Sequence, residues 1–465
     1  MPTTPRSRIA RTAAVAGVGL ALAAALAACS SSSSNSAAAP ASSSAAGGSS
    51  APASASASSS DAALQQPTTL TWWAWAPQDK DIVAAFEKKY PQVKVNLVNA
   101  GTATTEYTKL QNAIKAGSGV PDIAQIEYYA LPQFALGGSL ADLSKDGLSD
   151  DQGQFSSAVW GSVNVNGTLV GLPQDTGPMA LFYNKTVFDK YKLPVPTTWA
   201  QFTADAKKLH AANPKAYITN DTGDPGFLTS MIWAAGGHPY VTSGTKNVTI
   251  NFADAGSQKF VSTWSPLVSG GLVAPIASWS NEWYQGLTNG DIASLVIGGW
   301  MGVDLETGVP GGKGQWRVAP LPQYSAGQTA SSENGGSANS VLAASKNQAA
   351  AAAFLQFIST GQGAQISADS GDFPAATAQL TSSSFLGVKP AFFGGQAINQ
   401  VLSQASSDVL SGWSYLPFQV YANSIFPDTV GQAYTGKSTL SAGLSVWQQQ
   451  SASYGSQQGF SVTSK

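Results

Sequence analysis

Thr69-Leu70-Thr71-Trp72-Trp73-Ala74-Trp75 is a run of aromatic and β-branched residues stopped by Pro77, and it reads as a strand. The segments after it decide the fold. Ile82, Val83, Phe86 and Tyr90 recur at helical spacing until Pro91 ends the run. Val93, Val95 and Leu97 then alternate with Lys94 and Asn96, which predicts a second strand. Tyr107, Leu110 and Ile114 mark another amphipathic helix closed by Gly117, and Asp122-Ile123-Ala124-Gln125-Ile126 is a third strand. Strand–helix–strand–helix–strand with short connections indicates a parallel sheet covered by helices. Ligands of such sheets bind beyond the carboxyl ends of the strands, so Trp75–Asp79 and Glu127–Tyr129 are the candidate loops.

The second half repeats the style. Leu181-Phe182-Tyr183 reads as a strand, and Thr198-Trp199-Ala200-Gln201 fits a capping box that opens a helix. Phe260, Trp264 and Leu267 define another helix, ended by Gly270-Gly271. Ile292 to Ile297 is an apolar strand leading into Gly298-Gly299-Trp300. Val341 to Ala344 reads as a short strand, followed by an alanine-rich helix bearing Phe354, Leu355 and Ile358. Leu440, Leu444 and Trp447 mark the last helix, and the polar tail 451–465 is expected to fray.

The N-terminus tells where the chain resides. Arg6, Arg8 and Arg11 precede an apolar stretch from Ala13 to Ala28, and small residues stand just before Cys29, the only cysteine. Charged, then apolar, then small is the order of a secretory signal peptide, here residues 1–28, and such a segment is removed rather than left spanning a membrane. Leu26-Ala27-Ala28-Cys29 resembles a bacterial lipobox, in which the cysteine thiol is lipid-modified and becomes the first residue of the mature chain. A lone exported thiol has no internal disulfide partner. From Ser30 to about Gln66 the chain is Ser, Ala, Pro and Gly, which predicts a disordered stalk over 29–66 between anchor and body.

Loss of residues 1–28 removes three arginines and moves the formal charge from −2 to −5. There is no basic patch to receive nucleic acid. No later apolar run reaches the roughly 18 residues of a membrane span. About 400 residues remain, enough for two cores. Their polar surface is built mainly from Ser, Thr, Asn, Gln and Gly beside 13 Trp, 14 Tyr and 18 Phe. Neutral hydrogen-bonding groups beside indole rings suit a neutral polyhydroxyl ligand, whose C–H faces stack on aromatics. The same tryptophans equally suit large cores. Catalytic equipment is thin: His210 and His238 are the only histidines, and no metalloprotease, nucleophile-elbow, phosphate-loop or Cys/His pattern occurs. No metal and no cofactor are indicated.

Read in order, these segments resemble the extracellular solute-binding proteins of ABC importers, in the carbohydrate-binding family that includes maltose-binding protein. The most specific stretch is Gly167-Thr168-Leu169-Val170-Gly171-Leu172-Pro173, continuing through Leu181-Phe182-Tyr183-Asn184-Lys185 to Pro196-Thr197-Thr198-Trp199. Phe86 to Pro91, Gly119-Val120-Pro121-Asp122, Gly298-Gly299-Trp300 and Ala344 to Asn347 support it, and the resemblance runs from about Thr68 to Gln450. It implies a two-lobe α/β fold of the type II periplasmic-binding-protein kind, with the ligand cleft between lobes. Carried over, the crossovers fall near Asp175–Met179, Gly336–Ser340 and Asp372–Pro374. One lobe then holds 68–175 plus 341–372, the other 178–338 plus 374–450.

The resemblance also implies a monomeric, lipid-anchored receptor on the extracellular face of a bacterial membrane, handing a neutral carbohydrate to permease subunits. Trp300 matches the position where the family stacks an indole on sugar. Across the cleft, Glu127 and Tyr128 follow one strand, and Trp75 and Gln78 follow another. A carboxylate such as Glu127 accepts two sugar hydroxyls through charge-assisted bonds. Asp175 stands at the first crossover, and Trp233, Trp279, Trp283, Glu333 and Asn334 lie near predicted loops. Two rivals stay open at this point: a glycan-binding surface lipoprotein with no transport role, and a glycosidase using carboxylates such as Glu127 and Asp175.

Overall fold

The computed structural model describes residues 62–465. The signal peptide, Cys29 and nearly all of the expected stalk lie outside the described residues. The folded body starts before Gln66, because Leu64 is already 3% exposed and packs into the first core.

The first lobe forms as the periodicities require. β1 (Thr68–Trp73) buries Leu70 and Trp72, and α1 (Asp79–Lys89) turns Ile82 and Phe86 onto the sheet. After β2 (Val93–Val98), α2 (Ala103–Ala116) buries Tyr107 and Leu110 and ends on Gly117, whose left-handed φ of 63° returns its N–H to the last carbonyls. β3 (Ile123–Glu127) is buried along nearly its whole length. β4 (Leu172–Asp175) leads to the first crossover, and β5 (Met179–Asn184) opens the second lobe. There, α3 (Trp199–Ala212) carries the capping box of Thr198 and Gln201. Next come α4 (Pro225–Ala234), α5 (Asn281–Asn289), β6 (Ser294–Gly298), α6 (Met301–Gly308) and β7 (Trp316–Pro320). The chain then re-enters the first lobe as β8 (Ser337–Val341) and α7 (Gln348–Ser359).

The first sheet has the order β2-β1-β3-β8-β4. β1 is parallel to β2 and β3, but β8 is antiparallel to both β3 and β4. The sheet is therefore mixed rather than wholly parallel. The reason is the point of entry: β8 comes in from the other lobe at the carboxyl end of β3, with Ser337 opposite Glu127, and can only run backwards. The second lobe repeats this plan. β5 lies between β6 and β7, antiparallel to both. Beyond β6, Tyr217 bridges Ile292 in parallel, and Thr219–Asn220 pairs in parallel with Val273–Ala274.

Each lobe has its own core. Leu70, Trp72, Phe86, Ile123 and Phe354 centre the first. β5 divides the second: Met179 and Leu181 face one cluster with Trp199, Trp264 and Trp447, while Ala180 and Phe182 face another with Trp283 and Trp316. Seven tryptophans (72, 199, 233, 264, 283, 316 and 447) are fully buried, so most of the indole content serves packing.

Two expectations need correction. Residues 337–340, expected within the second crossover, are already strand in the first sheet, so that crossover precedes Ser337. The tail does not fray as expected: the last helix, Leu440–Gln457, runs past Ser451, and Ser461–Ser464 pairs in parallel with Asn247–Ile250. Val462 of that strand packs against the second core, and its backbone partners lie far back in the chain, beyond any local signal.

Candidate functional site

A cleft of about 430 Å³ opens between the lobes. The first lobe supplies Thr104, Glu127 and Tyr129, and Asn334 and Gly335 come from the second crossover. The second lobe supplies most of the rest, notably Asn220, Asp221, Asp224, Trp279, Trp283 and Trp300.

Trp300 stands at the carboxyl end of β6 and at the start of α6. Its Nε1–H donates to the Asn334 carbonyl at 2.7 Å, which fixes the indole plane against the crossover. That approach requires glycine at 298, where a Cβ would collide with the Trp300 indole. Trp279 stacks on Trp300 at 6.0 Å and 27°, and meets Trp283 at 5.0 Å. It is 49% exposed and holds a left-handed φ of 68°, a strained setting for a bulky side chain. Trp283 is buried instead, and its Nε1–H donates to Asn220 Oδ1 at 2.7 Å. This bond orients the Asn220 amide so that Nδ2 reaches Ser278 Oγ at 2.9 Å.

The charged groups of the lining are all acids. Glu127 Oε2 accepts from the Tyr107 hydroxyl at 3.0 Å. Burial raises the pKa of the Glu127 carboxyl, and the charge of Asp224 adds to the effect. Asp221 Oδ2 accepts from Trp264 Nε1 at 2.7 Å, and burial pushes this carboxyl up to about 6. Asp224 caps α4 by accepting from the Phe227 amide at 2.7 Å, with its pKa also raised by burial. No lysine, arginine or histidine lines the cleft among the described residues. An anionic ligand would meet uncompensated negative charge there, whereas neutral hydroxyls would find acceptors. Among the described residues no group of three or more His, Cys, Asp or Glu is arranged to hold a metal ion.

The structure brings Trp300, Glu127, Trp279, Trp283 and Asn334 together in the cleft. The other expected residues do not line it. Tyr128 points away from its neighbours Glu127 and Tyr129, is 1% exposed, and donates its hydroxyl to the Asp175 carbonyl at 2.8 Å. Trp75 is half-buried outside the lining, and its backbone amide donates to Gln125 Oε1 at 3.2 Å. Trp233 stacks on Trp413 at 5.2 Å and 5°, and donates to the Leu410 carbonyl. Gln78, Asp175 and Glu333 are taken up by the crossovers: Gln78 donates to Asp372, Ser337 donates to Asp175, and the Gly177 amide donates to Glu333. Tyr129 enters from the expected Glu127–Tyr129 loop in place of Tyr128, whereas Asn220, Asp221 and Asp224 join the site without having been expected there. Their one sequence signal is Asp224-Pro225, an acid before proline at a helix start.

The chain matches the bacterial extracellular solute-binding protein family over residues 71–365, and it belongs to that family. A lactose-binding protein of Rhizobium radiobacter is 27% identical over 303 residues, covering 62% of this chain and 70% of that one. An arabinooligosaccharide-binding protein of Bacillus subtilis is 28% identical over 309 residues, covering 62% and 69%. Among solved structures, an ABC transporter associated binding protein from B. animalis subsp. lactis, in complex with β-1,6-galactobiose, is 43% identical. The match covers 85% of this chain and 99% of that one, at a TM-score of 0.77. The galacto-N-biose-/lacto-N-biose I-binding protein of Bifidobacterium longum, in complex with lacto-N-biose, is 27% identical with a TM-score of 0.75, covering 85% and 98%. The fold is the two-lobe α/β architecture of periplasmic binding proteins. No helix among the described residues is long and apolar enough to cross a membrane.

Proposed function

We propose that this protein is a monomeric, lipid-anchored receptor that binds a neutral oligosaccharide in the interlobe cleft and delivers it to an ABC-type importer without chemical turnover. The observation that carries the reading is a cleft in which partly open indoles, Trp279 and Trp300, stand beside acids and amides with no cation. Indole faces take the C–H side of a sugar ring, and carboxylates accept from its hydroxyls. β-Galactosides are the first candidates. Lactose, β-1,6-galactobiose and lacto-N-biose are named with three of the similar proteins, and galactose has an apolar C–H face opposite its axial hydroxyl. Closure follows if the ligand binds the closed arrangement better than the open one.

Calorimetric titration with lactose, β-1,6-galactobiose, lacto-N-biose and an arabino-oligosaccharide tests the reading, beside an assay for released monosaccharide. Saturable binding with no product is expected. Product release would support the glycosidase rival, and no binding to any neutral sugar would overturn the assignment.

A further inference from the structure

The three crossovers meet in a hinge that buries carboxylates without a cation. Glu333, 1% exposed on the second crossover, accepts from the Gly177 amide of the first at 2.5 Å. Asp175 of the first accepts in return from the Ser337 amide at 2.5 Å and the Ser337 hydroxyl at 2.9 Å. The two straps tie the first crossover to the chain on either side of Gly335-Gly336. Asp372 of the third crossover accepts from Gln78 Nε2 at 2.7 Å and from the Phe373 amide at 3.0 Å. Its segment is tied to the first by the Thr176 amide, which donates to the Phe373 carbonyl at 3.1 Å.

The charged neighbours are all of one sign. Asp175 feels Asp372 and Glu127, Asp372 feels Asp304, and Asp79 feels Asp372 in turn. Tyr128 and Tyr415 stand beside Glu333, whose Oε1 has no hydrogen-bond partner. No lysine, arginine or histidine acts on any of these acids. Burial pushes Glu333 and Asp79 up to about 7 and Asp372 up to about 6.

We propose that this hinge is a proton-binding element coupled to the cleft: filling the cleft drives a proton onto the crossover carboxylates, and ligand affinity falls as pH rises. The inference rests on the sugar-binding reading. Asn334 is next to Glu333 in the chain, lines the cavity and holds the Trp300 indole, so the hinge and the cleft share a wall. A ligand there replaces the water against Asn334 and Trp300 with a less polarisable neighbour, and that loss of solvent beside the shared wall further disfavours the charged form of the acids behind it. A neutral carboxyl still accepts an amide N–H through its carbonyl oxygen. Protonation therefore keeps the straps and relieves the repulsion between Asp175 and Asp372.

The test is titration with β-1,6-galactobiose and with lactose at about pH 5.5 and about pH 8, in buffers of different ionisation enthalpy. Proton uptake and an affinity about threefold to tenfold tighter at the lower pH are expected. Glu333→Gln places a neutral isostere on the same strap, so its affinity at the higher pH should approach that of the unaltered protein at the lower. Asp372→Asn should flatten the dependence as well, and it serves if the first variant fails to fold. A pH-independent affinity overturns the coupling while leaving sugar binding intact. A dependence that persists unchanged in both variants also overturns it, and assigns the proton to Glu127, Asp221 or Asp224. Absence of binding at either pH removes the ligand reading and the coupling together.

Discussion

The indole of Trp300 and the backbone carbonyl of Asn334 are joined by a hydrogen bond of 2.7 Å, so the aromatic wall of the cleft is fastened to the crossover segment between the lobes. Trp300 is partly buried, packs at the edge of the second core, and keeps surface toward the cleft.

Trp300→Ala should cost about 2 kcal/mol of ligand binding, roughly thirtyfold in affinity, because no neighbouring side chain can replace the flat surface. Trp300→Phe keeps an aromatic face but loses the bond to Asn334, and should fall between. Calorimetry on both variants, beside melting curves of the ligand-free proteins, checks this. Normal binding by the alanine variant would place the ligand elsewhere.

Asp224 serves two purposes that substitution can separate. It caps α4 through the Phe227 amide and also faces the cleft. Asp224→Ala should lose about 1 kcal/mol of stability with the cap, and binding with the charge. Asp224→Asn should restore the melting temperature without restoring full affinity. If the two variants bind equally to the unaltered protein, the carboxylate does not touch ligand.

Glu106 sets a pH dependence of stability. It is 1% exposed, neither carboxylate oxygen has a hydrogen-bond partner, and burial pushes its pKa up to about 8. A carboxyl whose folded pKa exceeds its unfolded value binds more protons when folded. Its contribution is thus fully present below the unfolded pKa and is lost as pH rises toward the folded one. Asp79 and Glu333, both near 7, act in the same direction. The melting temperature should therefore fall between about pH 4 and about pH 8. Glu106→Gln should reduce that fall, raising the melting temperature at the alkaline end and changing little at the acid end. A melting temperature that rises across the window would contradict the assignment.

Cys29→Ala should leave the protein exported but no longer sedimenting with membranes, since the motive for anchoring is the Leu26–Cys29 motif after an arginine-then-apolar signal. Membrane fractionation of the two forms decides it. A variant that still pellets after signal removal would defeat the lipobox reading.

Much of the fold was legible because its signals are local. The alternation of Leu70 and Trp72, the helical spacing of Ile82 and Phe86, and the Thr198–Gln201 capping box each act within a few residues, and each appears where its period placed it. Trp300 was legible as well, since an apolar strand leading into two glycines puts the next side chain at a strand's carboxyl end.

The rest depended on partners distant in the chain. Thr219–Asn220 is too short to show any period, and it is a strand only because Val273–Ala274 pairs with it and Tyr217 bridges Ile292. That pairing brings Asn220 and Asp221 to the cleft. Adjacent residues of a strand end point to opposite sides, so of Glu127 and Tyr128 only one can face the ligand, and the local sequence does not say which. Glu333 and Asn334 diverge in the same way, one into the hinge and one onto the cavity. By itself, the sequence determined the order of elements and the loops at the strand ends, because hydrophobic period and turn chemistry act over a few residues, while the two-lobe class came from the resemblance of its motifs to a known family. Only the tertiary structure decided which side chain of each loop faces the cleft. That direction is set by strand pairing and lobe packing between residues as far apart as Gly177 and Glu333, which are joined across the hinge.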